Sequence, residues 1–221
     1  MTGGSSPRPR LLVVVTGTGT EVGKTWVSAA LLSLARARGL VVAARKPAQS
    51  FGPQDPPSST DASVLGSATG EPAARVCPAS RSYPVAMAPP MAAAALGRPV
   101  PSMASLVEAV ASSWPSDGCD LGVVEGAGGV ASPLAGDGDS ADLARAFGPD
   151  RVVLVADAGL GTINAVRLSV RALAPMPVIV YLNRFDPGDD LHGRNLSWLR
   201  SVDGFAVTCT VEELLGELVG G

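Results

Sequence analysis

The stretch that decides the fold is Leu11-Leu12-Val13-Val14-Val15-Thr16-Gly17-Thr18-Gly19-Thr20-Glu21-Val22-Gly23-Lys24-Thr25. The apolar run Leu11–Val15, rich in β-branched valine, reads as a strand buried on both faces. From Lys24 to Arg38 the residues Val27, Ala30, Leu31, Leu34 and Ala35 recur on one helical face, and Gly39 is placed to end the helix in the left-handed region. A glycine-rich turn between a buried strand and an amphipathic helix lets backbone N–H groups converge on an oxyanion at the positive end of the helix. Lys24 then reaches toward outer phosphates and the Thr25 hydroxyl toward a divalent ion. The strict G-x-x-x-x-G-K-[ST] spacing is missed by one place, because Thr18 stands where the first glycine belongs and Gly17 precedes it. The alternative is an ordinary glycine-rich turn.

Working outward, further apolar runs at Leu40–Ala44, Leu121–Val124, Val152–Ala156 and Val178–Leu182 each end in a polar or glycine cluster. Helical stretches lie between them: Leu106 to Trp114 behind Ser102 or Ser105, Thr162 to Leu173, and Glu212 to Leu218 behind Thr210. Strand and helix in alternation predict an α/β fold, a doubly wound and mainly parallel sheet with helices on both faces. The segment Pro47 to Pro101 breaks this rhythm with eleven scattered prolines and reads as long ordered loops with short helices such as Asp61–Ala68. Residues 11–221 read as one P-loop-type domain, and Met1–Arg10, rich in Gly, Ser and Pro, as a disordered tail.

Composition narrows the function. The 221 residues are 46% apolar, with 17 Lys plus Arg, 20 Asp plus Glu and a formal charge of −3. No run approaches the roughly 18 apolar residues of a membrane span, and there is no cationic field for a nucleic-acid backbone. Cys77, Cys119 and Cys209 form no C-x-x-C pair and read as small core fillers of a cytoplasmic protein. His192 is the single histidine and is expected to be exposed, so chemistry needing two imidazoles is excluded.

The remaining strand ends supply candidate residues, since in an open parallel sheet they face one crevice. Lys46 follows the second strand in Lys46-Pro47-Ala48-Gln49-Ser50 and should meet Lys24, where two ammonium groups could neutralise charge on transferring oxygens. Its alternative is a solvated strand-end lysine. Glu125, in Glu125-Gly126-Ala127-Gly128-Gly129, ends an apolar strand and needs a cation to offset its desolvation. Asp61 is either a second carboxylate on that cation or a helix-start residue. Gly159-Leu160-Gly161-Thr162-Ile163-Asn164 offers a second helix N-terminus to an anion, or else a Thr162 cap. Asn183 can read a base edge or form a turn.

In these residues the chain resembles the dethiobiotin synthetases, a family of the P-loop group that also holds the cobyrinic acid amidating synthases and the MinD/ParA-type ATPases. The likeness spans about Leu11 to Asn183 and rests on Gly17-Thr18-x-Thr20-x-Val22-Gly23-Lys24-Thr25, Lys46-Pro47 with Ser50, Asp61, Ala88-Pro89, Glu125 to Gly129 and Gly159 to Asn164. The shifted first glycine is the family's own habit. The resemblance implies an ATP- and Mg²⁺-dependent ligase that converts 7,8-diaminopelargonate and CO₂ to dethiobiotin through a phosphorylated carbamate. It implies that Lys24, Lys46, Thr20 and Ser50 are catalytic, with Thr20 and Ser50 also holding the diamine. Nucleotide would lie on Glu21, Val22, Gly23, Lys24, Thr25, Trp26, Glu125, Gly126, Ala127, Gly128 and Asn183, and the metal on Thr25, Asp61 and Glu125. Gly161, Thr162 and Asn164 would take the substrate's distal carboxylate from the neighbouring subunit of a homodimer.

Three departures from the family stand out: Gly19 replaces a frequent Asp, Phe51 replaces a small glycine after Ser50, and Gly204–Gly221 lacks the clear Gly-x-Ile-Pro turn, and the particular acidic residue after it, that help enclose the nucleotide in the family. Two other readings share the loop. A cobyrinic-type synthase would require a separate glutaminase subunit. A MinD/ParA-type switch would carry a lysine early in the loop, where Gly17-Thr18-Gly19 stands, and often a basic or amphipathic anchor, whereas the last helix here holds Glu212, Glu213 and Glu217.

Overall fold

The computed structural model describes residues 8–220. In chain order the elements are β1 (Leu11–Gly17), α1 (Lys24–Ala37), β2 (Val42–Arg45), β3 (Gln49–Ser50), α2 (Asp61–Thr69), α3 (Ala73–Val76), β4 (Ser82–Tyr83), α4 (Pro89–Ala95), α5 (Met103–Ala111), β5 (Leu121–Glu125) and β6 (Pro133–Ala135). They continue with β7 (Gly138–Asp139), α6 (Ser140–Phe147), β8 (Arg151–Asp157), α7 (Thr162–Leu173), β9 (Val178–Asn183), α8 (Asp190–Ser201), β10 (Ala206–Thr208) and α9 (Val211–Val219). Six of the strands build one parallel sheet in the order β10-β9-β8-β1-β5-β2.

Alternation of side chains along each strand divides the core in two. Leu12, Val14, Val124, Leu154 and Leu182 pack on one face with Leu106, Leu143, Val166 and Leu199 of α5, α6, α7 and α8. Val13, Val15, Val123, Val153 and Val155 pack on the other with Val27, Leu31, Leu65 and Leu214 of α1, α2 and α9. The expected doubly wound α/β architecture is thus the observed one, and β1 lies between β5 and β8, so its loop opens at the carboxyl edge of the central strands.

Local chemistry explains most boundaries. Ser102 accepts from Ser105 N, so α5 starts at Met103, ahead of the Leu106 expected from the apolar pattern. Thr210 accepts from Glu213 N and caps α9 as anticipated. Two helices had gone unread, α6 and α8, along with β10. The helix starts are set by Asp139 and Asp189, whose carboxylates each accept two backbone N–H groups. The Pro47–Pro101 segment is ordered, with β3 and β4 paired in parallel beside three short helices.

Of the tail expected over Met1–Arg10, residues 1–7 lie outside the described residues. Arg8, Pro9 and Arg10 are held: Arg8 pairs with Asp150 at 3.1 Å, Arg10 N donates to Cys119 O at 2.9 Å, and Pro9 is buried against Gly122. Cys77 and Cys119 are buried and Cys209 is half-buried, all as free thiols. His192 is half-buried on α8, where its Nδ1 accepts from Asp186 N at 3.0 Å. Among the described residues no helix is long and apolar enough to cross a membrane.

Candidate active site

The loop after β1 turns on two residues in the left-handed region, Glu21 (φ 61°) and Gly23 (φ 93°). Gly23 is the residue that cannot change, because a Cβ there would run into Asn183 Nδ2. Gly23 also precedes the first turn of α1, whose N-terminus has no side-chain cap. Its free N–H groups are those an anion would take. Lys24 folds back over the loop and donates to Gly19 O at 3.0 Å.

Beneath this loop the ends of β2 and β5 and the starts of α1 and α2 deliver a charge cluster. Lys46 Nζ donates to Glu125 Oε1 at 2.8 Å and to Gly126 O at 2.9 Å, and pairs with Asp61 Oδ2 at 2.6 Å. The Thr25 hydroxyl lies 2.7 Å from Glu125 Oε1 and 2.8 Å from Asp61 Oδ1, so its single proton serves one carboxylate at a time. Ser28 Oγ donates to Glu125 Oε2 at 2.7 Å. Glu125 is 0% exposed and Lys46 2%. The alternative of a solvated strand-end Lys46 is therefore removed. Asp61 is not the cap either: Thr60 accepts from Ser63 N and caps α2, which leaves the Asp61 carboxylate for the cluster.

The charges tune one another. Burial lowers the Lys24 pKa, the neighbouring Lys46 ammonium lowers it further, and the carboxylates of Glu125 and Asp61 only partly restore it, leaving it at about 8. For Lys46 burial also acts downward, but Glu125 and Asp61 in direct contact outweigh it and hold the ammonium above its ordinary range. Asp61 is held below the usual carboxylate range because Lys46, the Thr25 hydroxyl and Lys24 together overcome its burial.

A cavity of about 860 Å³ opens over the cluster, lined by Thr20, Glu21, Gly23, Lys24, Thr25, Trp26, Lys46, Ser50, Asp61, Ala127 and Gly128, among others. Phe51 and Met87–Pro89 form part of its wall. The Ser50 hydroxyl is buried without a partner in the protein, as expected of a group kept for a ligand. Trp26 stands 59% exposed at the rim.

Not every candidate lines this cavity. Glu125 and Gly126 lie under its floor, and Asn183 lies behind the loop, its Nδ2 donating to Val22 O at 2.9 Å. Gly161 and Asn164 are exposed elsewhere, next to Leu160 at 93% exposure. Gly161, with φ 90°, is the residue before α7, and the buried Thr162 hydroxyl has no partner, so Thr162 does not cap the helix. Two participants were missed. Ser28 lies one helical turn beyond Thr25 on the same face, a spacing legible in sequence. Arg184, which bonds Glu21 O at 2.7 Å, carried no such signal.

The residues suit Mg²⁺. Two carboxylates and a hydroxyl lie within hydrogen-bond distance of one another, and an ammonium already occupies the cationic position between them. Among the described residues no group of three or more His, Cys, Asp or Glu could hold a metal unaided. Asp61, Glu125 and the Thr25 hydroxyl are the kind of donor set used by an ion that binds through one or two carboxylates and completes its shell with phosphate and water.

Known proteins resemble this chain in both sequence and fold. The AAA_26 family, described as an AAA domain, matches residues 12–184. The ATP-dependent dethiobiotin synthetase BioD of Anaeromyxobacter dehalogenans strain 2CP-C is 45% identical over 181 residues, covering 80% of this chain and 78% of that protein. Its counterpart from Rhodococcus jostii is 44% identical over 165 residues, covering 74% and 68%. Among solved structures, the signal recognition particle receptor FtsY of Elizabethkingia anophelis superposes with a TM-score of 0.53 at 13% identity, over 95% of this chain and 63% of that longer one. A putative plasmid partition protein of Borrelia burgdorferi bound to AMPPNP gives 0.52 at 15%, over 96% and 89%. These two likenesses concern the fold alone. With 45% identity over 80% of its length and the AAA domain model matching residues 12–184, the chain belongs to the ATP-dependent dethiobiotin synthetase family.

Proposed function

We infer that this chain is a dethiobiotin synthase, an ATP-dependent ligase that closes a ureido ring on 7,8-diaminopelargonate with CO₂. The observation that carries the reading is the entry of Lys24 and Lys46 into one cavity, above Thr25, Asp61 and Glu125, in a chain 45% identical to a dethiobiotin synthetase. In the reaction an amine takes up CO₂ and loses a proton to give a carbamate. A carbamate oxygen then bonds to the γ-phosphorus as the bond to ADP breaks. The second amine attacks the carbamoyl carbon, phosphate leaves, and the ring closes.

The phosphoryl step brings two anions together, and the protein's task is to hold them and offset their charge. Lys24 and the backbone N–H groups of Val22, Gly23 and Thr25 would hold the outer phosphates. Lys46 would turn its ammonium to the oxygens between carbamate and phosphorus. Mg²⁺, held by Thr25, Asp61 and Glu125, would supply further positive charge to the phosphates. Thr20 and the unpartnered Ser50 hydroxyl would hold the diamine and carbamate, with Phe51 against the alkyl chain. No imidazole is required, consistent with His192 lying on α8 and bonded to Asp186 N.

The segment Gly159–Asn164, which runs into the start of α7 and does not line the described cavity, would serve the distal carboxylate of a substrate bound by the partner in a cytoplasmic homodimer. The test is ADP release by the purified chain. Release that depends on both the diamine and bicarbonate, with dethiobiotin detected by mass spectrometry, supports the ligase. Release indifferent to both overturns it in favour of a MinD/ParA-type switch.

A further inference from the structure

We propose that Arg184 is a positioning residue that, together with Asn183, aims the N–H groups of the loop after β1 into the cavity. Arg184 Nη2 donates to Glu21 O at 2.7 Å and Asn183 Nδ2 to Val22 O at 2.9 Å, so adjacent residues at the end of β9 hold adjacent carbonyls of the loop. In a trans peptide the carbonyl oxygen and the following N–H point in opposite directions. Drawing Glu21 O toward β9 therefore sends the Val22 N–H the other way, and drawing Val22 O there does the same to the Gly23 N–H. We place both N–H groups toward the cavity that Glu21, Gly23 and Lys24 line; Arg184 borders the same cavity, at the edge where it meets Glu21 O. Successive N–H groups so aligned make an anion nest.

Backbone strain marks the same pair. Among the described residues Glu21 (φ 61°) and Arg184 (φ 57°) are the two non-glycine residues with positive φ, and they are bonded to each other. Such conformations persist where surrounding bonds over-determine them. The second arm of the guanidinium supplies the anchorage: Arg184 Nη1 donates to Asp157 Oδ2 at 2.8 Å, and Asp157 Oδ1 accepts from Gly159 N at 3.0 Å. One planar fork thus ties together the loops after β1, β8 and β9. Yet its side chain is 58% exposed and contributes nothing to the core. A lysine in its place offers one ammonium, which cannot span Glu21 O and Asp157 with the same geometry.

This inference rests on the reading of Gly17–Thr25 as a phosphate cradle, and the experiment separates the two. Calorimetry would measure Mg·ADP and inorganic pyrophosphate binding to the wild-type chain, Arg184→Ala and Arg184→Lys, with melting temperatures taken without ligand. The expected result is a 10- to 100-fold weaker affinity for both ligands in both variants and unchanged melting temperatures. In turnover, the KM for nucleotide should rise while that for the diamine does not. Wild-type affinity in Arg184→Ala overturns the proposal. So does wild-type affinity in Arg184→Lys, since charge alone would then suffice. A wild-type chain that binds neither ligand overturns the cradle itself.

Discussion

Lys46 Nζ and Glu125 Oε1 lie 2.8 Å apart with both side chains almost wholly out of water, and Asp61 Oδ2 closes the group at 2.6 Å from the same ammonium. One cation balances two carboxylates here, so the pair is both part of the reaction site and a condition of the fold around it. Removing one partner of such a buried group costs about 3–5 kcal/mol, because the other charge stays buried without compensation. Without divalent ion, Lys46→Ala should therefore melt well below the wild type. Added Mg²⁺ should recover much of the loss by taking the ammonium's place, and in that condition turnover should still be lower by orders of magnitude while nucleotide binding persists. Melting curves in EDTA and in Mg²⁺, paired with initial rates, check both halves.

Glu125→Gln keeps the shape of the side chain and removes its charge. It leaves Ser28 and Thr25 a carbonyl acceptor on one side only, where the carboxylate now takes both hydroxyls and Lys46. The expected result is Mg·ATP binding weakened by about tenfold or more, the order of one lost charge-assisted contact of about 1.5–3 kcal/mol. Calorimetry with Mg·ATP, compared with ATP in EDTA, reads it directly, since the loss should be confined to the metal complex.

Ser50→Ala should separate stability from function. The Ser50 hydroxyl is buried and bonded to nothing in the protein, so its removal relieves a desolvation cost of about 1–3 kcal/mol instead of breaking a bond. The melting temperature should hold or rise while the KM for the diamine increases. A fall in stability with unchanged KM would assign the residue to the fold alone.

Lys24 gives nucleotide binding a pH signature. Its pKa in the free chain is lowered to about 8, and a bound triphosphate, being anionic, favours the charged form and raises it. Below pH 8 the lysine is protonated before and after binding and contributes no slope. Above pH 8 the free chain has lost the proton that the complex regains, so binding takes up a proton and affinity falls as pH rises. Calorimetry above pH 8 in two buffers of different ionisation enthalpy should report uptake approaching one proton, and Lys24→Met should abolish it.

Gly23→Ala tests the loop geometry. With φ at 93° and Asn183 Nδ2 directly against the place a Cβ would take, alanine must displace either the loop or Asn183. Nucleotide binding should be lost, with only a modest drop in the melting temperature because the change touches no core cluster.

What the sequence alone determined follows from local physics. The loop Gly17–Thr25, the five apolar strands and the cap at Thr210 are stretches in which pattern and turn chemistry agree, so the doubly wound sheet and the site's place at its carboxyl edge were legible, whereas the choice of Ser102 over Ser105 as a cap came from the structure. The helices α6 and α8 were not, because they start on Asp139 and Asp189, ordinary in loops, and α6 is only two turns long while α8 is mostly polar. Only the tertiary structure decided which candidate side chains meet. Asp61, Lys46 and Glu125 come from three separate segments, and whether Asp61 capped α2 or joined the cluster turned on Thr60 taking the cap. The same holds for Arg184 and Glu21, 163 positions apart, whose bond depends on β9 lying two strands from β1 in the sheet. Backbone propensity acts over a few residues, whereas charge pairing acts over a few ångströms, and the order of strands in the folded sheet is what brings the second kind of neighbour together.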